Sequence, residues 1–285
     1  MTMTATYTYN AGAALALPGG IFTKPAEFQI DVTSVSIADT GTYVITMIIS
    51  DTFPASFTST FTLSITNAIP RVATVPGAVS LVHGSSLSIP LTSNFVDDDG
   101  DPLTMAATYS LSGGAAVTLP SGIFTVPSAF TIYVASTSIA DTGVYTMSLT
   151  VSDPLPASVT QTFTVTVTNA APRLLSAPPS PSIVHGNTIS MPLSAYFVDD
   201  DADPLTMTAT YSLNGGAAIA IPGGIFTVSS LLTIVATSTG LVDVGAYTIS
   251  LSISDSLSAV TTSYTLSITN ASPRLVSAPL AVTAP

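Results

Sequence analysis

Apolar side chains recur along this chain at every second position in short runs. Leu87, Ile89 and Leu91 form one run, and Leu103, Met105, Ala107, Tyr109 and Leu111 the next, closed by Ser112-Gly113-Gly114. Phe130, Ile132 and Val134 follow, then Tyr145, Met147, Leu149 and Val151, then Phe163, Val165 and Val167. A period of two puts such side chains on one face of a pleated strand, and the glycine pair supplies a turn. With shorter strands predicted near Ser80–Val82 and Ala116–Leu119, seven strands fall within about a hundred residues, the number a Greek-key sandwich requires.

The pattern repeats. Tyr43, Tyr145 and Tyr247 are 102 residues apart, as are Asp51, Asp153 and Asp255. VDDDGDPLTM at 96–105 and VDDDADPLTM at 198–207 superpose on the same period. A repeat this long is a whole sandwich, not a solenoid turn. The chain therefore reads as all-β, with tandem sandwiches of about 102 residues in an elongated array. Asn67-Ala68-Ile69-Pro70-Arg71, Asn169-Ala170-Ala171-Pro172-Arg173 and Asn270-Ala271-Ser272-Pro273-Arg274 close the last strands, and proline makes them short, stiff linkers. The expected divisions are a partial sandwich at 1–69 lacking its first two strands, complete sandwiches at 70–171 and 172–272, and at 273–285 an opening strand of a further repeat. Two arrangements accommodate this register: a window on a longer array, or an open first sandwich completed by a strand from a neighbouring copy, with 273–285 as the donor.

Composition narrows the function classes. Four basic residues stand against sixteen acidic ones, for a net charge of −12, so the basic footprint that nucleic acid requires is lacking. No apolar run reaches the length of a membrane span, and Met1-Thr2-Met3-Thr4-Ala5 has no signal-peptide character. The 47% of hydrophobic residues are enough to fill cores. Cysteine is absent, so neither disulfides nor thiol chemistry is available, and metal ions are the remaining staple.

Two motifs carry the chemistry. Asp-x-Gly-x-Tyr occurs at 39–43, 141–145 and 243–247, just before a strand. It resembles the tyrosine corner of immunoglobulin-type sandwiches, in which the hydroxyl ties back to nearby backbone. The second is the acidic loop, with four carboxylates in five residues at 97–101 and 199–203. Carboxylates so close repel one another unless a cation or water relieves them, and Ca²⁺ accepts six to eight oxygen ligands in adaptable geometry. Of the sixteen acids only Glu27 and Asp31 lie off the recurring positions, so the charge is placed on the period for local use. His83 and His185 occupy equivalent His-Gly turns and read as turn residues, not ligands.

The acidic loops resemble those of the cadherin family, above all the dystroglycan-type cadherin-like modules of large surface proteins. In that family Ca²⁺ lies between successive domains, held by an Asp-x-Asp pair, a lone Asp on a later strand and an Asn- or Asp-containing linker. By this resemblance Asp97 and Asp99 are the pair, Asp153 the lone Asp and Asn67 the linker ligand, with Asp101 in the same loop. The following junction uses Asp199, Asp201, Asp203, Asp255 and Asn169. Asp39 and Asp141, in the corner turns, are expected to approach these groups in place of the family's glutamate, which has no counterpart. The linker also lacks the family's full acidic string, implying fewer or weaker ions.

The reading that follows is a non-enzymatic, extracellular or cell-surface stalk or filament segment. Its rivals are an adhesin for a protein or glycan partner and an accessory module of a large secreted hydrolase. The absence of Trp disfavours a sugar platform. Neighbouring copies of the chain are candidate partners. Ser and Thr are available for O-glycosylation, and Asn270-Ala271-Ser272 is the one N-glycosylation sequon.

Overall fold

A computed structural model describes residues 1–53 and 55–277. The chain is all-β; among the described residues the helical pieces are five single 3-10 turns. By contacts it divides into two compact units. One holds 1–79, 87–134 and 143–166; the other holds 80–86, 135–142 and the chain from Val167 onward.

The second unit contains a complete sandwich. One sheet runs in the order Ser182–Val184, Ala259–Thr269, Gly245–Ser254, Thr206–Leu213, Ile219–Ile221; the other runs Thr188–Pro192, Thr233–Thr237, Phe226–Ser230. Ser182–Val184 pairs in parallel with Ala259–Thr269, whereas the remaining pairs are antiparallel. Opening and closing strands thus lie side by side. Alternation fills the core: Tyr247, Ile249, Leu251 and Ile253, beside Tyr264, Leu266 and Ile268 of the neighbouring strand, cluster with Ile234 and Ala236 of the other sheet.

In the first unit, residues 1–65 form a four-stranded sheet in the order Leu15–Ala16, Thr2–Tyr9, Gly41–Ser50, Ser56–Ile65, with the hairpin Phe22–Ala26/Gln29–Val32 beside it. Phe61 on its last strand is 44% exposed, against 6% and 5% for the corresponding Phe163 and Tyr264 of later repeats, and Phe57 on the same strand is 66% exposed. Farther along the same unit, Thr104–Leu111 pairs with Val117–Thr118 and with Gly143–Ser152, and Phe124–Ser128 with Thr131–Ala135. The region expected to hold an opening or donor strand, 273–285, lies for its last eight residues outside the described chain, and 273–277 contains no strand.

One strand escaped the alternation. Phe22–Ala26, Phe124–Ser128 and Phe226–Ser230 begin with a buried Phe and continue with exposed residues, so only one side chain signals the core. Each Phe lies at the centre of an aromatic trio. Phe124 is 4.9 Å from Tyr109 and 5.2 Å from Tyr145, the latter edge-on, as aromatic quadrupoles favour. The Gly preceding this strand allows the trio to close: at Gly122, φ is +58° and a Cβ would lie 2.7 Å from the Tyr109 hydroxyl. The recurring Gly-Ile-Phe-Thr at 20, 122 and 224 was the signal for it.

The tyrosine corner is built as its resemblance implied. The Tyr43 and Tyr247 hydroxyls donate to the carbonyls of Asp39 and Asp243 at 2.9 and 2.8 Å. The Asp243 carboxylate accepts from Ser238 Oγ, Thr239 N and Gly240 N at 3.1, 2.8 and 3.1 Å. The Thr239 and Gly240 N–H groups lead in holding its pKa below the usual carboxylate value. A depressed folded-state pKa means that the stability Asp243 contributes is present above the unfolded value near 3.8 and is lost as pH falls below it. Asp243→Asn should therefore lower the thermal midpoint by several degrees at pH 7, and the gap from the parent should narrow toward pH 3; parallel melts at the two pH values check this.

Candidate metal centres

Each acidic loop follows a two-residue strand that pairs with the linker. Phe95–Val96 pairs with Arg71–Val72, and Phe197–Val198 with Arg173–Leu174. This ladder brings the linker arginine to the second acid of each loop. Arg71 Nε donates to both Asp98 oxygens at 3.0 and 2.9 Å, and its Nη2 reaches Oδ1 at 2.8 Å. Arg173 holds Asp200 in the same fork. Hydrogen bonding to the guanidinium lowers the pKa of Asp98 and of Asp200. With the second acid turned outward to its arginine, the first, third and fifth residues of the loop converge.

In the first unit, ligand oxygens of Asp97, Asp99 and Asp101 all lie within 4.8 Å of one another. Asp97 is buried, and desolvation raises its pKa; Asp99, whose side chain lies against Asp97 and accepts the Ala68 N–H at 2.8 Å, is lowered. Desolvation also raises Asp101. The Asn67 amide donates to Asp153 Oδ2 at 2.8 Å, which fixes its rotamer and leaves Asn67 Oδ1 without a hydrogen-bond partner. Asp97 Oδ2 and Asp101 Oδ2 are likewise buried and unpartnered. Beside them, Ser34, Val35, Ser36, Ile37 and Thr40 of the Asp39 turn share a cleft of about 270 Å³ with Asp99 and Asp101.

The second unit repeats the scheme. Asn169 Nδ2 donates to Asp255 Oδ2 at 2.8 Å, and the Ala170 N–H to Asp201 Oδ2 at 2.7 Å. Asn169 Oδ1, Asp199 Oδ2 and Asp201 Oδ1 are buried without partners. Asp199 is 8% exposed, and burial, aided by its contact with Asp201, pushes its pKa up to about 6. Burial alone would raise Asp201 and Asp255 as well. Asp199 and the Ala170 N–H outweigh it at Asp201, and the Asn169 amide with the Ser258 and Leu257 N–H groups does so at Asp255, leaving both lowered.

These donor sets suit a hard cation. A buried carboxylate or amide oxygen lacking a partner is costly, and here several such oxygens sit within one loop and its linker. All are oxygen donors of the kind Ca²⁺ takes. Asp39 and Asp141 each anchor their own turn: Oδ2 accepts from a serine hydroxyl and two backbone N–H groups, Ser34, Val35 and Ser36 for Asp39 and Ser136, Thr137 and Ser138 for Asp141. Asn270 accepts from the His185 ring at 3.0 Å.

The reading of His83 as a mere turn residue does not hold. Its Nε2 lies 2.8 Å from Asp201 Oδ2 and 2.8 Å from Asp203 Oδ2, and the residue is 3% exposed. The Val82–Ser85 turn, with Gly84 at φ +77°, and the bond from His83 N to Thr168 O aim the ring. The spacing of His83 and His185 on the same 102-residue period as the acids was the available signal.

Two family models agree with the fold. A family described as "Bacterial Ig domain" matches residues 67–166, and one described as "Putative Ig domain" matches residues 171–269. The chain is thus built of tandem immunoglobulin-like repeats. Among curated proteins, none matches it. Among solved structures, an I-band fragment of titin is 15% identical, with a TM-score of 0.36 over 95% of this chain and 88% of that one. The titin domains z1z2, determined in complex with telethonin, are 14% identical, with a TM-score of 0.43 over 73% of this chain and 100% of that one. Sidekick-1 immunoglobulin domains 1–5 are 15% identical, with a TM-score of 0.35 over 94% of this chain, which spans about half (52%) of that chain. No helix among the described residues is long and apolar enough to cross a membrane.

Because burial disfavours the charged form of Asp199, a neutral isostere should relieve the cation-free protein. Asp199→Asn is expected to raise the thermal midpoint by a few degrees in chelator at pH 7.5. A fall instead would show that the loop stabilises the charge without a cation.

Proposed function

We propose that this chain is a non-catalytic extracellular stalk or filament segment whose immunoglobulin-like repeats are stiffened by Ca²⁺ at the acidic loops. The observation that supports this most directly is the set of buried, unpartnered oxygens shared by each loop and its linker: Asn67, Asp97 and Asp101 at the first, and Asn169, Asp199 and Asp201 at the second. Asp99 and Asp153 complete the first donor set; Asp203 and Asp255 complete the second. Bound there, Ca²⁺ supplies the positive charge and the coordination that these oxygens lack. One ion then ties together the linker, the loop that follows it and the end of a distant strand, which restricts the linker.

Repeated architecture also favours a mechanical role. The same corner, the same aromatic trio and the same loop recur with little variation, whereas an active site requires a constellation that differs from its surroundings. Partners in this reading are neighbouring copies of the chain or another surface protein. Calcium at roughly millimolar concentration, acting on sites with a Kd of about 10⁻⁴–10⁻³ M, contributes on the order of 0.4–1.4 kcal/mol per site. That is small for folding but sufficient to bias a hinge.

Calcium should raise the thermal midpoint of the full chain by a few degrees over chelator, and Asp199→Ala/Asp201→Ala should lose about half of that response. Small-angle scattering should show the maximum dimension becoming better defined with calcium. Identical melts and scattering with and without the ion would remove calcium from the proposal.

A further inference from the structure

At Asp199–Asp203 a buried imidazole, that of His83, joins the converging oxygens. We propose that His83, Asp201 and Asp203 form a site for a borderline divalent cation of the Zn²⁺ class. This inference rests on the reading that the acidic loops take up cations, and it narrows that reading for the second loop.

Geometry carries the argument. His83 Nε2, an oxygen of Asp201 and an oxygen of Asp203 lie within 4.8 Å of one another, and Nε2 is 2.8 Å from both carboxylates. A single Nε2–H can direct a straight hydrogen bond at only one of two such oxygens. A cation bound at the lone pair of Nε2 satisfies both together. Ligand atoms at 2.0–2.2 Å from one tetrahedral zinc are roughly 3.3 Å apart, so the cluster needs to open by only about half an ångström.

Burial and neighbouring groups point the same way. The side chains of His83 and Asp201 are 3% and 2% exposed, and that of Asp203 is 11% exposed. His83 Nδ1 has no hydrogen-bond partner, so the ring meets its polar surroundings through Nε2 alone. Asp201 Oδ1 and the adjacent Asp199 Oδ2, both buried and unpartnered, are negative oxygens available to complete the coordination. Imidazole nitrogen suits zinc and its first-row neighbours, whereas Ca²⁺ and Mg²⁺ favour oxygen alone, so the added donor shifts preference toward the borderline metals. His185 serves as an internal control: its Nε2 faces Asn270 Oδ1 at 3.0 Å, and that site is exposed.

The test uses the full chain with Co²⁺ as a visible probe, Zn²⁺ as competitor, and CaCl₂ titrated separately by calorimetry. The parent should develop a ligand-field band that Zn²⁺ abolishes. In His83→Ala and in Asp203→Asn the apparent affinity for Co²⁺ and Zn²⁺ should fall at least tenfold; in His185→Ala it should not change. Calcium uptake should persist in His83→Ala. If that variant does not give the parental circular dichroism spectrum, Asp203→Asn, at the more exposed ligand, decides. Zinc binding that is unaltered by both variants, or no tighter than calcium binding, overturns this inference while leaving calcium at the loops intact. Zinc binding lost with His83 in a chain that ignores calcium supports the inference and removes the calcium reading instead.

Discussion

The governing constraint in this molecule is the gathering of carboxylates around one buried member of each acidic loop, Asp97 or Asp199. Like charges a few ångströms apart raise one another's energy, and burial amplifies the effect. Each loop distributes this burden in the same way. One acid is turned out to an arginine, one accepts a linker N–H, and a further carboxylate on a later strand is held by the linker asparagine. What remains are oxygens facing inward with no hydrogen-bond partner. The short Phe95–Val96 and Phe197–Val198 ladders, the position of the linker and the orientation of Asn67 and Asn169 all follow from that arrangement.

Much of this was legible from the chain alone because the informative quantity was a period. Alternation gave the long strands, where every second residue is buried. It failed at Phe124–Ser128, where one buried Phe is followed by exposed residues, and at the two-residue ladders, which are too short to show any period. The carboxylates of the two loops were identifiable by recurrence. Their division of labour was not, because Asp98 and Asp99 are equivalent in sequence and differ only in which way the backbone turns them. That Asp141 Oδ2 takes three donors within its own turn was not legible either, because it depends on local backbone geometry.

His83 is the most instructive residue. A His-Gly pair in a turn has an ordinary explanation, and nothing within its own repeat contradicts it. Its partners, Asp201 and Asp203, lie more than a hundred residues away, so only the fold brings them to the ring. The second loop's string does not announce that a histidine from an earlier repeat lies against it. Sequence recurrence therefore locates such sites without fixing their ligand sets.

The tyrosine corner has a consequence for how repeats of such similar sequence avoid confusion. Tyr247 bonds to Asp243 four residues earlier, and the Asp243 side chain closes on donors no more than five residues before it. This knot depends on no other repeat and involves little loop-closure entropy, so it can form early and by itself. Neighbouring copies with near-identical strands invite exchange of segments during synthesis, a known failure of multidomain chains. A crossover that ties itself locally commits each repeat to its own strands before the next one is available to compete for them.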